Sequence, residues 1–124
     1  MADQSESAEV TFNCQTQTVT VNKDKFEVKN GNTLILTMTL KITGGSCDAK
    51  FPPGNQSFDF PNGGPTGFTV NKQSDTKVVL TERNQNPNQD PEDFCFKSVV
   101  QLGHDKFASP DPTIQNLGTG GGGG

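Results

Sequence analysis

The stretch from Thr33 to Thr43 constrains this chain most. Leu34, Leu36, Met38, Leu40 and Ile42 share one parity, and Thr37, Thr39, Lys41 and Thr43 share the other. A period of two over eleven residues is that of a long strand with one buried face; a helix would repeat its apolar positions every three or four residues. Met38 therefore belongs to the core, and Ile35, which interrupts the polar parity, predicts partial cover on the second face. Shorter alternations flank this strand: Val10, Phe12 and Cys14, then Val19 and Val21, then Phe26 and Val28. Asn30-Gly31 tolerates positive φ at both centres of a type I′ turn, which predicts a hairpin joining the Phe26 strand to the Thr33 strand. Residues 67–70 and 76–81 read as two further strands, 93–102 as a central strand covered on both sides, and 112–116 as a short last one. No segment keeps helical periodicity through three turns.

The expected fold is therefore all-β: an antiparallel Greek-key β-sandwich of seven to nine strands, cupredoxin-like or immunoglobulin-like. Residues 1–8 are polar and aperiodic and read as a flexible leader, 9–117 as the β-sandwich domain, and 118–124 as a flexible Gly-rich tail. Residues 47–65 carry the turn signals of a long loop. Residues 84–91 (NQNPNQDP) hold two prolines within five residues and are expected to be the most exposed loop.

Composition narrows the function classes. Leu, Ile, Val and Phe make up 27 of the 124 residues, enough for one lean core. Ten Lys plus Arg against fourteen Asp plus Glu leave a net charge of −4, which disfavours a nucleic-acid partner, because phosphate neutralisation needs clustered cations. No apolar run approaches the ~20 residues that span a bilayer. Nine Phe are the only aromatics. The core therefore lacks the buried Trp and the tyrosine corner of antibody-type domains, and a sugar site would lack its usual Trp or Tyr platform.

Cys14, Cys47 and Cys95 are an odd number, spaced 33 and 48 residues apart in a chain whose first residues carry no secretory pattern. That combination predicts reduced thiols and a cytoplasmic location, and the spacing matches no zinc motif. The acidic residues Asp90, Glu92 and Asp93, with Asp48 and Asp59, read as solvated turn carboxylates rather than a calcium loop.

The run KFEVKNGNTLILTMTLKITGG, followed by FPPGNQSFDF, TKVVLTE and DFCFKSVVQLGHDKFASPDPTIQN, resembles small uncharacterised cupredoxin-like β-sandwich proteins of bacteria. The resemblance spans roughly residues 17–117 and is most specific at Asp111-Pro112-Thr113-Ile114-Gln115-Asn116. It implies a β-sandwich of seven or eight strands and no activity by itself. A blue-copper centre takes one Cys, two His and a weak axial ligand. Cys95 and His104 lie in the right region, but this chain has a single His. The expectation is thus a non-catalytic binding or assembly module without metal or cofactor, meeting a protein partner or a second copy through loops or a strand edge. The alternatives are a metal or redox protein using Cys95 and His104, and a surface or secreted interaction module.

Overall fold

The computed structural model describes residues 2–120. Among them the chain is all-β with no helix, in eleven strands: β1 (Asp3–Asn13), β2 (Thr18–Val21), β3 (Lys25–Val28), β4 (Thr33–Thr43), β5 (Phe58–Asp59), β6 (Thr69–Ser74), β7 (Lys77–Arg83), β8 (Glu92–Cys95), β9 (Lys97–Leu102), β10 (Asp105–Ala108) and β11 (Thr113–Asn116). They form one five-stranded sheet, β2-β1-β4-β7-β6, and two three-stranded sheets, β10-β9-β5 and β3-β11-β8.

β4 is the spine. Leu34, Leu36, Met38 and Leu40 are buried, as the alternation requires, and Ile35 on the other parity is half-buried. Val10 and Phe12 of β1 and Val78 and Leu80 of β7 extend the same apolar face. Phe26 and Val28 of β3, Phe58 of β5, Phe96, Val100 of β9 and Ile114 of β11 join them, so all three sheets share one core. The rings of Phe58 and Phe60 each tilt against Phe96, with centroids 5.3 and 5.6 Å apart. Aromatic pairs at this separation add to simple area burial, and here they replace the absent Trp and Tyr.

Several expectations are corrected. The sheets are mixed, not purely antiparallel, because β1 runs parallel to β4 over their full length and β11 runs parallel to β3. Residues 1–8 are no free leader beyond Met1, which lies outside the described residues: β1 starts at Asp3 and pairs Asp3–Glu9 with Thr33–Thr39. Polar side chains fasten this outer half of β1. The Gln4 carboxamide donates to the Glu27 carbonyl, and Lys23 meets Glu6 at 2.8 Å, which holds the Glu6 carboxyl below its ordinary range. A polar strand without its own apolar face is ordered by its backbone ladder to β4, which no periodicity reveals.

A turn exists at Asn30-Gly31, with the Asn32 N–H donating to the Lys29 carbonyl at 3.0 Å, but of the pair only Gly31, at φ 83°, lies at positive φ, so it is not the expected type I′. It makes no hairpin: β3 and β4 lie in different sheets, and the turn carries the chain from one to the other. Turn residues specify local φ and leave the partner open. Residues 93–102 likewise form two strands, β8 on β11 and β9 between β10 and β5, with Phe96 buried at the break. Strand β10, which pairs with β9 beyond Gly103-His104, had no clear alternation to announce it.

Two further differences concern covalent and terminal structure. Cys14 and Cys47 form a disulfide, with Cα atoms 6.0 Å apart, leaving Cys95 as a free, half-buried thiol. The parallel pairing that sets Asn13 beside Thr43 brings the two cysteines together. Of the expected Gly-rich tail, residues 118–120 follow β11 after Leu117, and the Thr119 N–H donates to the Asn88 carbonyl at 2.8 Å. Residues 121–124 lie outside the described residues.

Candidate functional site

The segment expected to be most exposed builds the most elaborate polar site. In residues 84–91, Asn84 and Asn86 are only 1% and 3% exposed. They point inward because they hydrogen-bond main-chain groups of the neighbouring turns and strand ends, and buried polar groups without partners are costly. The Asn84 carboxamide donates to the Val28 carbonyl at 2.8 Å and the Leu117 carbonyl at 2.9 Å, while its oxygen accepts from the Asn86 N–H at 3.0 Å. Asn86 repeats the pattern, donating to the Asp90 and Asn116 carbonyls at 2.8 and 3.1 Å and accepting from the Asn88 N–H at 2.9 Å. Asn30 donates to the Asn86 carbonyl at 2.8 Å, and the Gly31 N–H donates to the Asn84 carbonyl at 3.0 Å. This asparagine clasp ties the β3–β4 turn, the β7–β8 loop and the end of β11 into one unit.

Glu82 of β7 lies at its inner end, 2% exposed. Its Oε1 accepts from the Asn116 carboxamide at 3.1 Å, while its Oε2 and the Asn116 Oδ1 are buried without partners. Burial raises the Glu82 pKa above the ordinary carboxylate range, the Asn116 hydrogen bond opposes this, and the negative charge of Glu92 adds to it. A protonated carboxyl facing a carboxamide has a donor for the amide oxygen as well as an acceptor for the amide nitrogen. The site therefore shifts Glu82 toward the neutral acid, and the Asn116 hydrogen bond couples β7 to β11.

Beside the clasp opens a cavity of about 230 Å³ lined by Arg83, Asn86, Glu92, Phe94 and Asn116, among others. This is below the ~300 Å³ at which small-molecule pockets begin. A larger hollow of about 440 Å³ lies elsewhere, over the β10-β9-β5 sheet, where Asn55, Gln56, Phe58, Val99 and Lys106 line it.

The residues singled out from the sequence are dispersed. Cys95 ends β8, half-buried, with its sulfur 3.5 Å from the Thr113 hydroxyl. His104 is exposed in the turn between β9 and β10, strands of a different sheet. Met38 is wholly buried. Among the described residues no group of three or more His, Cys, Asp and Glu side chains is arranged to hold a metal ion. Asp93 accepts a hydrogen bond from Gln115 at 2.9 Å, and Asp111 meets Lys97 at 2.8 Å.

Sequence reasoning missed the clasp altogether. A signal existed in the period-two spacing of Asn84, Asn86 and Asn88, each able to cap the amide two residues on in an Asx turn. Proline and polarity pointed the other way. No protein-family model matches the chain, and no curated protein matches it.

Proposed function

We propose that this chain is a non-catalytic binding or assembly module that works in an oxidising compartment, as a surface or secreted interaction domain. In this reading the five-stranded sheet is one layer of a cupredoxin-like sandwich and the two three-stranded sheets together form the other, consistent with the core they share. The Cys14–Cys47 disulfide supports the oxidising compartment over the cytoplasm that the N-terminal residues suggested, because cytosolic thiols are kept reduced.

The observation that carries the binding reading is the edge of the five-stranded sheet. Among the described residues β6 pairs with β7 alone, is six residues long, and exposes Thr69, Asn71, Gln73 and Ser74. An edge of this length offers a row of peptide groups for strand addition by a second copy or an extended partner. The irregularity between Lys72 and Ser74 twists one end away and leaves the Thr69–Asn71 half as the docking ledge.

Sedimentation velocity over a wide concentration range, paired with amide exchange along β6, tests this. Reversible association with slowed exchange at residues 69–71 is expected, weakened in a Thr69→Lys/Asn71→Lys variant that stacks charge on the ledge. A wild-type chain that stays monomeric and leaves β6 unprotected with every extended peptide offered to it would refute the reading.

A further inference from the structure

Asn55-Gln56-Ser57 is the chain's single Asn-X-Ser/Thr triplet with a non-proline centre. Such a triplet is common by chance, so the sequence alone carries little. Two structural observations support it. The first is what the asparagines do. Asn13, Asn22, Asn30, Asn32, Asn84, Asn86 and Asn116 all commit their side chains to hydrogen bonds in the framework. A bulky group on any of these would break the fold. Among the described residues Asn55, like Asn62, Asn71 and Asn88, is exposed with no such bond on its carboxamide; it lies in the turn before β5, where its main-chain carbonyl accepts from the Phe58 N–H at 3.3 Å.

The second is Ser57. It is 1% exposed, and its hydroxyl is buried without a partner. A stranded hydroxyl is unfavourable, and alanine would fill the same space without that penalty, so the fold gives no reason for serine here. Glycosyl transfer to asparagine gives one, since the acceptor triplet requires a hydroxyl two residues on. The later burial of Ser57 is no obstacle, because transfer takes place on the unfolded chain.

We propose that Asn55 is an N-glycosylation site, acting on a chain that enters an oxidising secretory compartment; this rests on the compartment reading above and not on the strand-edge reading. The donor is a lipid-diphosphate-linked oligosaccharide. The Asn55 Nδ2 forms a bond to the anomeric carbon of the first sugar and loses one proton, as the bond from that carbon to the lipid diphosphate breaks and the diphosphate leaves with the electron pair. The linked sugar then stands at the mouth of the 440 Å³ hollow, with Phe58 and Val99 as apolar floor and Lys106 and Gln56 at the rim.

Translation of the chain behind a cleavable secretory signal, with endoplasmic-reticulum microsomes present, reads occupancy without requiring export or folding. Wild type should show one band retarded by a single glycan and collapsed by peptide amidase, which leaves Asp at position 55. Asn55→Gln and Ser57→Ala should both abolish the shift, and Ser57→Thr should keep it. Ser57→Ala should also melt at the wild-type temperature or higher when made without a glycan. Non-reducing peptide mapping of the same material reads the Cys14–Cys47 link separately. A linked but unshifted chain overturns the glycan and spares the compartment reading, whereas a glycosylated chain with free thiols overturns the disulfide premise alone. A lower melting temperature for Ser57→Ala would show a structural role for the hydroxyl and remove the second support.

Discussion

Reduction of the Cys14–Cys47 bond is the perturbation whose magnitude follows most directly from the structure. The bridge closes a loop of 33 residues. In the chain-entropy treatment, closing a loop of that size in the unfolded ensemble removes about 12.5 cal/mol/K, or about 3.7 kcal/mol at 25 °C. The native state should give back little of this. The Cys14 N–H donates to the Thr43 carbonyl at 2.8 Å, and Asn13 Oδ1 accepts from the Gln15 and Thr16 amides at 2.9 and 3.0 Å, so the Cys14 end of the bridge is held without it. The loss should therefore come from a freer unfolded chain. Against a typical stability of roughly 5–15 kcal/mol it is a large share.

Urea unfolding with and without reductant, and of a Cys14→Ser/Cys47→Ser variant, measures it. With a urea slope of about 1.5 kcal/mol/M the midpoint should fall by about 2.5 M. At about 4 °C per kcal/mol for a chain of this size the melting temperature should fall by about 15 °C. The slope itself should rise on reduction, because an uncrosslinked unfolded chain exposes more surface. Midpoints that coincide with and without reductant, in protein shown by mass to carry the bond when oxidised, would refute the entropic reasoning.

The other predictions are local. Glu82 has a folded-state pKa raised above the ordinary value of 4.5, so its contribution is complete below that value and is lost as pH rises through the folded one. Within that window each pH unit should remove about 1.4 kcal/mol. Glu82→Gln, which keeps a donor for Asn116 Oδ1 and cannot ionise, should match wild type in acid and exceed it in base; a stability difference independent of pH across that window would sink the neutral-acid assignment. Asn84→Ala strands the Asn86 N–H and takes one of two partners from the Val28 carbonyl, which keeps the Leu117 N–H, and from the Leu117 carbonyl, which keeps Asn30 Nδ2; it should cost about 1–3 kcal/mol in chemical denaturation. A loss below about 1 kcal/mol there would mean that water replaces the clasp. Gly118→Ala places its Cβ 2.2 Å from the Gln89 carbonyl oxygen, so the residues after β11 should undock, read as faster exchange of the Thr119 amide with the core amides unchanged.

Legibility differed from element to element. The buried parity of β4, the split between β1 and β2, the placement of β7, the closing strand β11 and the core position of Met38 were all readable, because each follows from apolar alternation within a few residues, whereas most of β6 falls beyond the 67–70 strand expected there. The candidate site was largely illegible. Asn84 and Asn86 carry the polarity of an exposed loop, and only the carbonyls of Val28, Asn116 and Leu117, delivered by other elements, make their burial favourable. The Asn30-Gly31 turn was recognised and its consequence misjudged for the same reason.

By itself, then, the order of residues determined that this chain folds as strands, that the chain turns at Asn30-Gly31, and which side of β4 faces inward, since these are properties of neighbours a few bonds apart. Only the tertiary structure decided that β1 runs parallel to β4, that β3 and β4 part into different sheets, that Cys14 finds Cys47, and that a proline-flanked asparagine loop folds inward. Backbone hydrogen-bonding groups are the same at every residue. Which of them pair across dozens of positions is therefore settled by the packing of the whole chain and leaves no periodic mark along it.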